Sequence, residues 1–230
     1  VLAVEDGYIH RLGSNYNGYG KALYLMTVSG HEVLYAHLDS FTPVLEKVWR
    51  MQQARRRSYR VDANFSRREF QVKKGDVIGY SGNSGNSFGP HLHFEYRSSK
   101  SEPLNPLIMA FDIPDHVTPI PKRLALIPLS RGSMVNASQL VQSMPLFRDK
   151  SGVYHFADTL SVFGDFAFAI QAIDKREGSN NSYQFQKAEL LIDGRKHFEL
   201  DYTKIPFSHG HAATTVIQFD LKRKNLGEYQ

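Results

Sequence analysis

In the first forty residues apolar and polar side chains alternate with a period near two, the spacing at which a β-strand turns successive side chains to opposite faces. VLAV (1–4), GYIHRL (7–12), KALYLMTV (21–28) and EVLYAHL (32–38) read as strands. They are separated by Glu5-Asp6-Gly7, SNYNGYG (14–20) and Ser29-Gly30-His31, all turn chemistry. Short strands with close turns predict an antiparallel sheet rather than βαβ units. In the fourth strand the alternation puts Leu34, Ala36 and Leu38 on one face and Val33, Tyr35 and His37 on the other.

Residues 44–60 change period. Val44, Val48 and Met51, with Leu45 and Trp49, recur at helical spacing, which predicts a basic helical insertion over about 44–68. Arg55, Arg56, Arg57 and Arg60 crowd its C-terminal end, where they suit the helix dipole, and Arg67 and Arg68 follow. Strands resume at FQV (70–72) and VIGYSG (77–82). A loop with glycines at 82, 85 and 89 then leads into His91–Tyr96. As a strand, this segment sets His91, His93 and Glu95 on one face and Leu92, Phe94 and Tyr96 on the other. The two imidazoles would stand about 6–7 Å apart at their Cα atoms.

Three prolines within DIPDHVTPIPK (112–122) mark a stiff linker over 112–123 between two domains. Beyond it the strand-like runs ALIPL, SQLVQSMPLF, VYHF, FAFAIQAI, YQFQKAELLI, HFELDY and TTVIQFDL predict an immunoglobulin-like β-sandwich over 124–230. The fold class is therefore mainly β, in two domains.

Composition narrows the chemistry. With 41% apolar and 22% charged residues the chain reads as soluble and globular, and no apolar run approaches the ~18 residues of a membrane span. The chain has no cysteine, so disulfides and thiolate zinc sites are excluded. The net charge of +5 favours an anionic partner, but aromatic interleaving of the basic run is thin, which argues against nucleic acid. The chain opens inside a run of strands, without a signal peptide, and closes on KRKNLGEYQ without a closing strand. Further residues are therefore expected before Val1 and after the tail.

Tyr35-Ala36-His37-Leu38, VKKGDVIGYSGNSG (72–85) and FGPHLHFEYR (88–97), in this order, resemble the lysostaphin-type zinc metalloendopeptidases. The resemblance covers about residues 1–97, so the first domain, 1–111, is expected to be a peptidase domain. It implies zinc-dependent hydrolysis of the peptide cross-links of bacterial peptidoglycan, in the periplasm or outside the cell. Carried over, it makes His93 a Zn2+ ligand, and His37 and His91 the two catalytic histidines. Zinc can polarise a carbonyl and acidify its water, and an imidazole can take a proton from that water near neutrality. Glu95 shares the histidine face and could orient an imidazole.

Members of the family also carry an earlier His-x-x-x-Asp that supplies two more zinc ligands. None precedes Tyr35-Ala36-His37-Leu38 here, since His10 and His31 are followed four residues on by Ser14 and Tyr35. A non-catalytic module that binds cell wall or activates a hydrolase is therefore the competing expectation. His209-Gly210-His211 repeats the H-x-H spacing without a supporting motif.

Overall fold

The computed structural model describes residues 1–111, 115–205 and 221. The expected strand at 214–221, apart from Leu221, and the His209-Gly210-His211 motif lie outside the described residues. The described residues fall into two compact units, 1–111 with 203–205, and 115–202 with Leu221.

The first unit is built on one antiparallel sheet. Its strands are β1 (Gly7–Ser14), β2 (Lys21–Thr27), β3 (Glu32–Phe41), β4 (Val61–Asn64), β5 (Gln71–Val72), β6 (Gly79–Ser81), β7 (His93–Arg97) and β8 (Pro103–Leu104), with helices α1 (Pro43–Arg56) and α2 (Pro106–Met109). The main path runs β4-β1-β2-β3-β7-β8, while β5 pairs with β1 and β6 with β3. VLAV does not form a strand as expected. A single bridge joins Leu2 to Val77, and backbone bonds from Ala3 to Asp76 and from Ile78 to Val1 hold the segment in place.

Both faces of the central strands are covered. Leu23, Leu25, Val33, Tyr35 and Leu38 join Ile9, Leu12, Trp49 and Tyr96 in the main core. Ala22, Tyr24, Leu34 and Ala36 form a smaller cluster with Tyr19. Leu38 thus lies with Val33 and Tyr35, not with Leu34 and Ala36 as strict alternation predicted. The cause is a β-bulge. Lys21 and Leu23 of β2 pair with Leu38 and Tyr35 of β3, so one extra residue of β3 is inserted between them. His37 takes up that residue with φ 57°, a left-handed backbone that costs a non-glycine residue about 1–2 kcal/mol. The bulge reverses the side-chain parity beyond it. A second bulge, between Ile9 and Arg11 of β1, leaves both Ile9 and Leu12 in the core.

The insertion is helical only in its first part. α1 starts with Pro43 in its first turn and ends on Arg57 in left-handed conformation, whose N–H bonds back to Ala54 O. Glu46 in the first turn and Arg55 and Arg56 in the last complement the helix dipole. Leu45 and Trp49 are buried, whereas Val44 and Met51 stand exposed, so the apolar seam is narrower than the spacing predicted. After the helix, Val61 and Ala63 alternate inward as β4 on the edge of the sheet, where a helical continuation to residue 68 had been expected.

In the second unit β9 (Ile120–Pro128), β10 (Met134–Val135), β11 (Gln142–Pro145), β12 (Phe147–Arg148), β13 (Tyr154–His155), β14 (Val162–Phe163), β15 (Phe166–Ile173), β16 (Lys187–Ile192) and β17 (Arg195–Asp201) are all antiparallel. Among the described residues they form one three-stranded sheet, β11-β9-β15, and three two-stranded ribbons. β9 begins at Ile120, inside the stretch expected as linker. It admits Pro121 opposite Ala172, next to a bulge in which Lys122 of β9 is the extra residue.

Candidate active site

Three segments converge at the β6–β7 side of the first unit: the bulge of β3, the glycine-rich loop 82–92, and the start of β7. β7 begins at His93, opposite Ala36 of β3, while His91 lies just before it in a bridge to Gly82. The predicted faces of this segment hold for its strand. Phe94 and Tyr96 pack on the main core, and His93 turns the other way with Glu95. Leu92, expected on the apolar face, is exposed.

The structure brings His37, His91 and His93 together. The ring of His37 lies 4.8 Å from that of His91 and 5.5 Å from that of His93. Alternation alone would have sent His37 into the core with Val33 and Tyr35; the bulge turns it toward His93 instead.

Each ring is held by one nitrogen. His37 Nδ1 is 2.8 Å from Ser84 O, and His91 Nδ1 is 2.8 Å from Gly89 O. A carbonyl oxygen only accepts, so both Nδ1 atoms carry the proton and Nε2 is the lone-pair nitrogen of each neutral ring. Neither Nε2 has a hydrogen-bond partner among the described residues. His93 is held in the opposite sense, through Nε2, 2.7 Å from Glu95 Oε1.

Close backbone packing fixes the loop that carries these acceptors. The N–H of Asn86 bonds to Gly18 O, and Ser84 Oγ donates to Leu38 O while accepting from the N–H of Lys21. Gly85, at φ 76°, lies so near Gly20 that a Cβ there would sit 2.3 Å from Gly20 N. His37 N donates to Tyr19 O, which ties the bulge to the 14–20 turn on which that loop packs.

Glu95 also accepts from the Tyr19 hydroxyl at 2.6 Å and from Arg97 Nε at 2.8 Å. Burial alone would raise its pKa, but the hydrogen bonds from Tyr19, His93 and Arg97 together hold its carboxyl below the usual range. The Tyr19 hydroxyl is pushed up to about 12, first by burial and then by Glu95. Glu32 is held low by His10 and Arg97 against its own burial. Tyr19, Glu32, Ser84 and Arg97 were not singled out by the sequence. Arg97 had a signal, since it continues the 93, 95, 97 face of β7, but Tyr19 and Ser84 sit in turns where no period marks them.

A zinc centre takes three protein ligands as a rule. Among the described residues no three His, Cys, Asp or Glu side chains form a group able to hold a metal ion. The residues present therefore do not fit a complete zinc site; His93, with Nδ1 unengaged, is the one donor the motif contributes.

Residues 59–106 match Peptidase family M23. Over 115 residues, 50% of this chain, the sequence is 35% identical to the DD-carboxypeptidase/endopeptidase Mpg of Neisseria meningitidis serogroup B (strain ATCC BAA-335 / MC58). It is 34% identical, over the same length, to the protein of that name from Neisseria gonorrhoeae (strain ATCC 700825 / FA 1090). The chain spans 21% of the length of these relatives. Among solved structures, the catalytic domain of the antimicrobial peptidase lysostaphin from Staphylococcus simulans aligns with 48% of this chain and 68% of its own, at 26% identity and a TM-score of 0.34.

Proposed function

We propose that this chain, whose residues 59–106 match Peptidase family M23 and which over 115 residues is 35% identical to a DD-carboxypeptidase/endopeptidase, is a lysostaphin-type peptidase that hydrolyses peptide cross-links of bacterial peptidoglycan outside the cytoplasm, with His37 and His91 as its catalytic pair. One observation carries the assignment. Two imidazoles 4.8 Å apart are each anchored through Nδ1 to a backbone carbonyl, which leaves Nε2 of both for chemistry side by side. With its Nδ1–H held, a neutral ring takes a proton at Nε2 and, once charged, donates from Nε2 to a developing oxyanion or a leaving amine. A pair of this kind supplies a base and an acid at neutral pH, each worth about 10²–10⁴-fold in rate.

Zinc, which the family implies, would be held in part by His93; the donor set among the described residues is incomplete. The immunoglobulin-like reading of the second unit, from residue 124 onward, rests on its run of short antiparallel strands. No helix among the described residues is long and apolar enough to cross a membrane.

The test is release of peptides from purified cross-linked peptidoglycan fragments, followed by chromatography and mass spectrometry. His37→Ala and His91→Ala should each lose at least about a hundredfold in rate, with circular dichroism and the Trp49 fluorescence unchanged. Full activity in both variants would sink the assignment. The incomplete donor set favours a second reading, a module that binds cell wall without cutting it. Sedimentation with insoluble peptidoglycan, no released peptide, and no bound zinc by elemental analysis would establish that reading instead.

A further inference from the structure

Behind His93 a chain of buried charge runs through β7 and β3. Glu95 Oε1 receives His93 Nε2 at 2.7 Å and the Tyr19 hydroxyl at 2.6 Å, and Oε2 receives Arg97 Nε at 2.8 Å. Arg97, 8% exposed, extends NH1 to Glu32 Oε1 at 2.8 Å and NH2 to the Tyr19 oxygen at 3.2 Å. Glu32 Oε2 in turn lies 3.0 Å from His10 Nε2.

The polarity of the links that meet at Glu95 is determined by their neighbours. A guanidinium only donates and an ionised carboxylate only accepts. Arg97 therefore requires an acceptor at Glu95 Oε2. The single hydroxyl proton of Tyr19 goes to Glu95 Oε1, and its lone pair is left to Arg97. His93, facing that same oxygen, must place its proton on Nε2. A neutral imidazole carries one N–H, so its lone pair is then on Nδ1.

We propose that the buried Glu32–Arg97–Glu95 chain, closed by Tyr19, is a positioning device that sets the tautomer of His93 and keeps an unprotonated Nδ1 available beside His37 and His91. The three rings then carry complementary settings. His37 and His91 expose Nε2 because backbone carbonyls hold Nδ1, and His93 exposes Nδ1 because a carboxylate holds Nε2. The relevance of this device to hydrolysis rests on the proposed function, but the tautomer itself does not.

The device is read by nitrogen-15 NMR of the imidazoles in chelator-treated protein without substrate, at a pH where the rings are neutral. In the native protein His93 should show a protonated Nε2 and a lone pair on Nδ1; a proton on Nδ1 overturns the proposal. Glu95→Gln is the sharper arm. Arg97 accepts nothing, so it pins the new amide oxygen on its own side and turns the amide NH₂ toward His93. His93 Nε2 must then accept, and the proton should move to Nδ1. A folded Glu95→Gln protein that keeps the native tautomer would show that the chain supports the sheet without setting the ring. Should that variant not fold, the native spectrum alone still decides. Both readouts are independent of peptidoglycan hydrolysis, so failure of the tautomer and failure of the activity are separable.

Discussion

Gly85→Ala tests whether the loop that holds His37 is seated by backbone contact. Gly85 has φ 76°, and a Cβ there would lie 2.3 Å from Gly20 N and 2.5 Å from Gly18 O. Both contacts are to backbone, so no side chain can swing aside. The change carries two costs. A non-glycine residue at positive φ loses about 1–2 kcal/mol, and forced overpacking adds about 1–3 kcal/mol. The sum, about 2–5 kcal/mol, is a large part of the 5–15 kcal/mol that typically holds a domain together. Gly75→Ala is the control, because Gly75 also has positive φ (91°) but a Cβ there meets nothing within 4 Å. It should pay the first cost alone. Trp49, the single tryptophan, is buried in the first unit, so its fluorescence in urea reports that unit. Gly85→Ala should lower the midpoint further than Gly75→Ala, by about 1–3 kcal/mol at unchanged m. Equal losses within about 0.5 kcal/mol would mean that loops 14–20 and 82–92 do not meet as described. The clash falls next to Ser84, whose carbonyl anchors His37, so Gly85→Ala should also depress hydrolysis more than its control.

Other expectations follow from the buried polar contacts of the first unit. Lys21 places Nζ 4.0 Å from the Trp49 ring centre and 3.2 Å from Glu46, so Lys21→Met should cost about 1–3 kcal/mol by removing that charged hydrogen bond, while Glu46 keeps Arg50 and the Phe41 N–H. Lys21→Met with Glu46→Gln should cost less than the sum of the single changes in a urea double-mutant cycle; strict additivity would show no coupling. Burial, the largest cause, pushes the Tyr35 and Tyr96 hydroxyls up to about 12. Their folded pKa is raised, so this contribution is intact below an unfolded value of about 10 and is lost as pH climbs from there toward 12. Urea midpoints should therefore fall as pH rises from about 10 toward 12, less steeply in Tyr96→Phe; a flat profile there would contradict the buried placement of these rings.

The sequence made β7 readable and β3 only half so. From His93 to Arg97 the ladder is unbroken, so period-two alternation correctly separated His93 and Glu95 from Phe94 and Tyr96. In β3 the same rule failed at His37, because an inserted residue changes parity and nothing in Tyr35-Ala36-His37-Leu38 announces the insertion. The anchors of the rings were hidden for another reason. Ser84 O, Gly89 O and Tyr19 O act through the backbone, and every residue type carries the same carbonyl.

The second bulge shows that the failure at His37 has a direction. In β1 the shift at His10 leaves Ile9 and Leu12 in the core and turns both His10 and Arg11 to the other face, where Arg11 lies over the Tyr24 ring and His10 reaches Glu32. That is the face of Glu95, Arg97 and Tyr19. Both irregular strands therefore give up regular pairing at a histidine and turn it toward one polar network. A bulge costs ladder hydrogen bonds, and His37 adds backbone strain. Two such costs fall on the same side of one sheet, beside the histidines of the proposed site, where local regularity is the feature most readily given up for function.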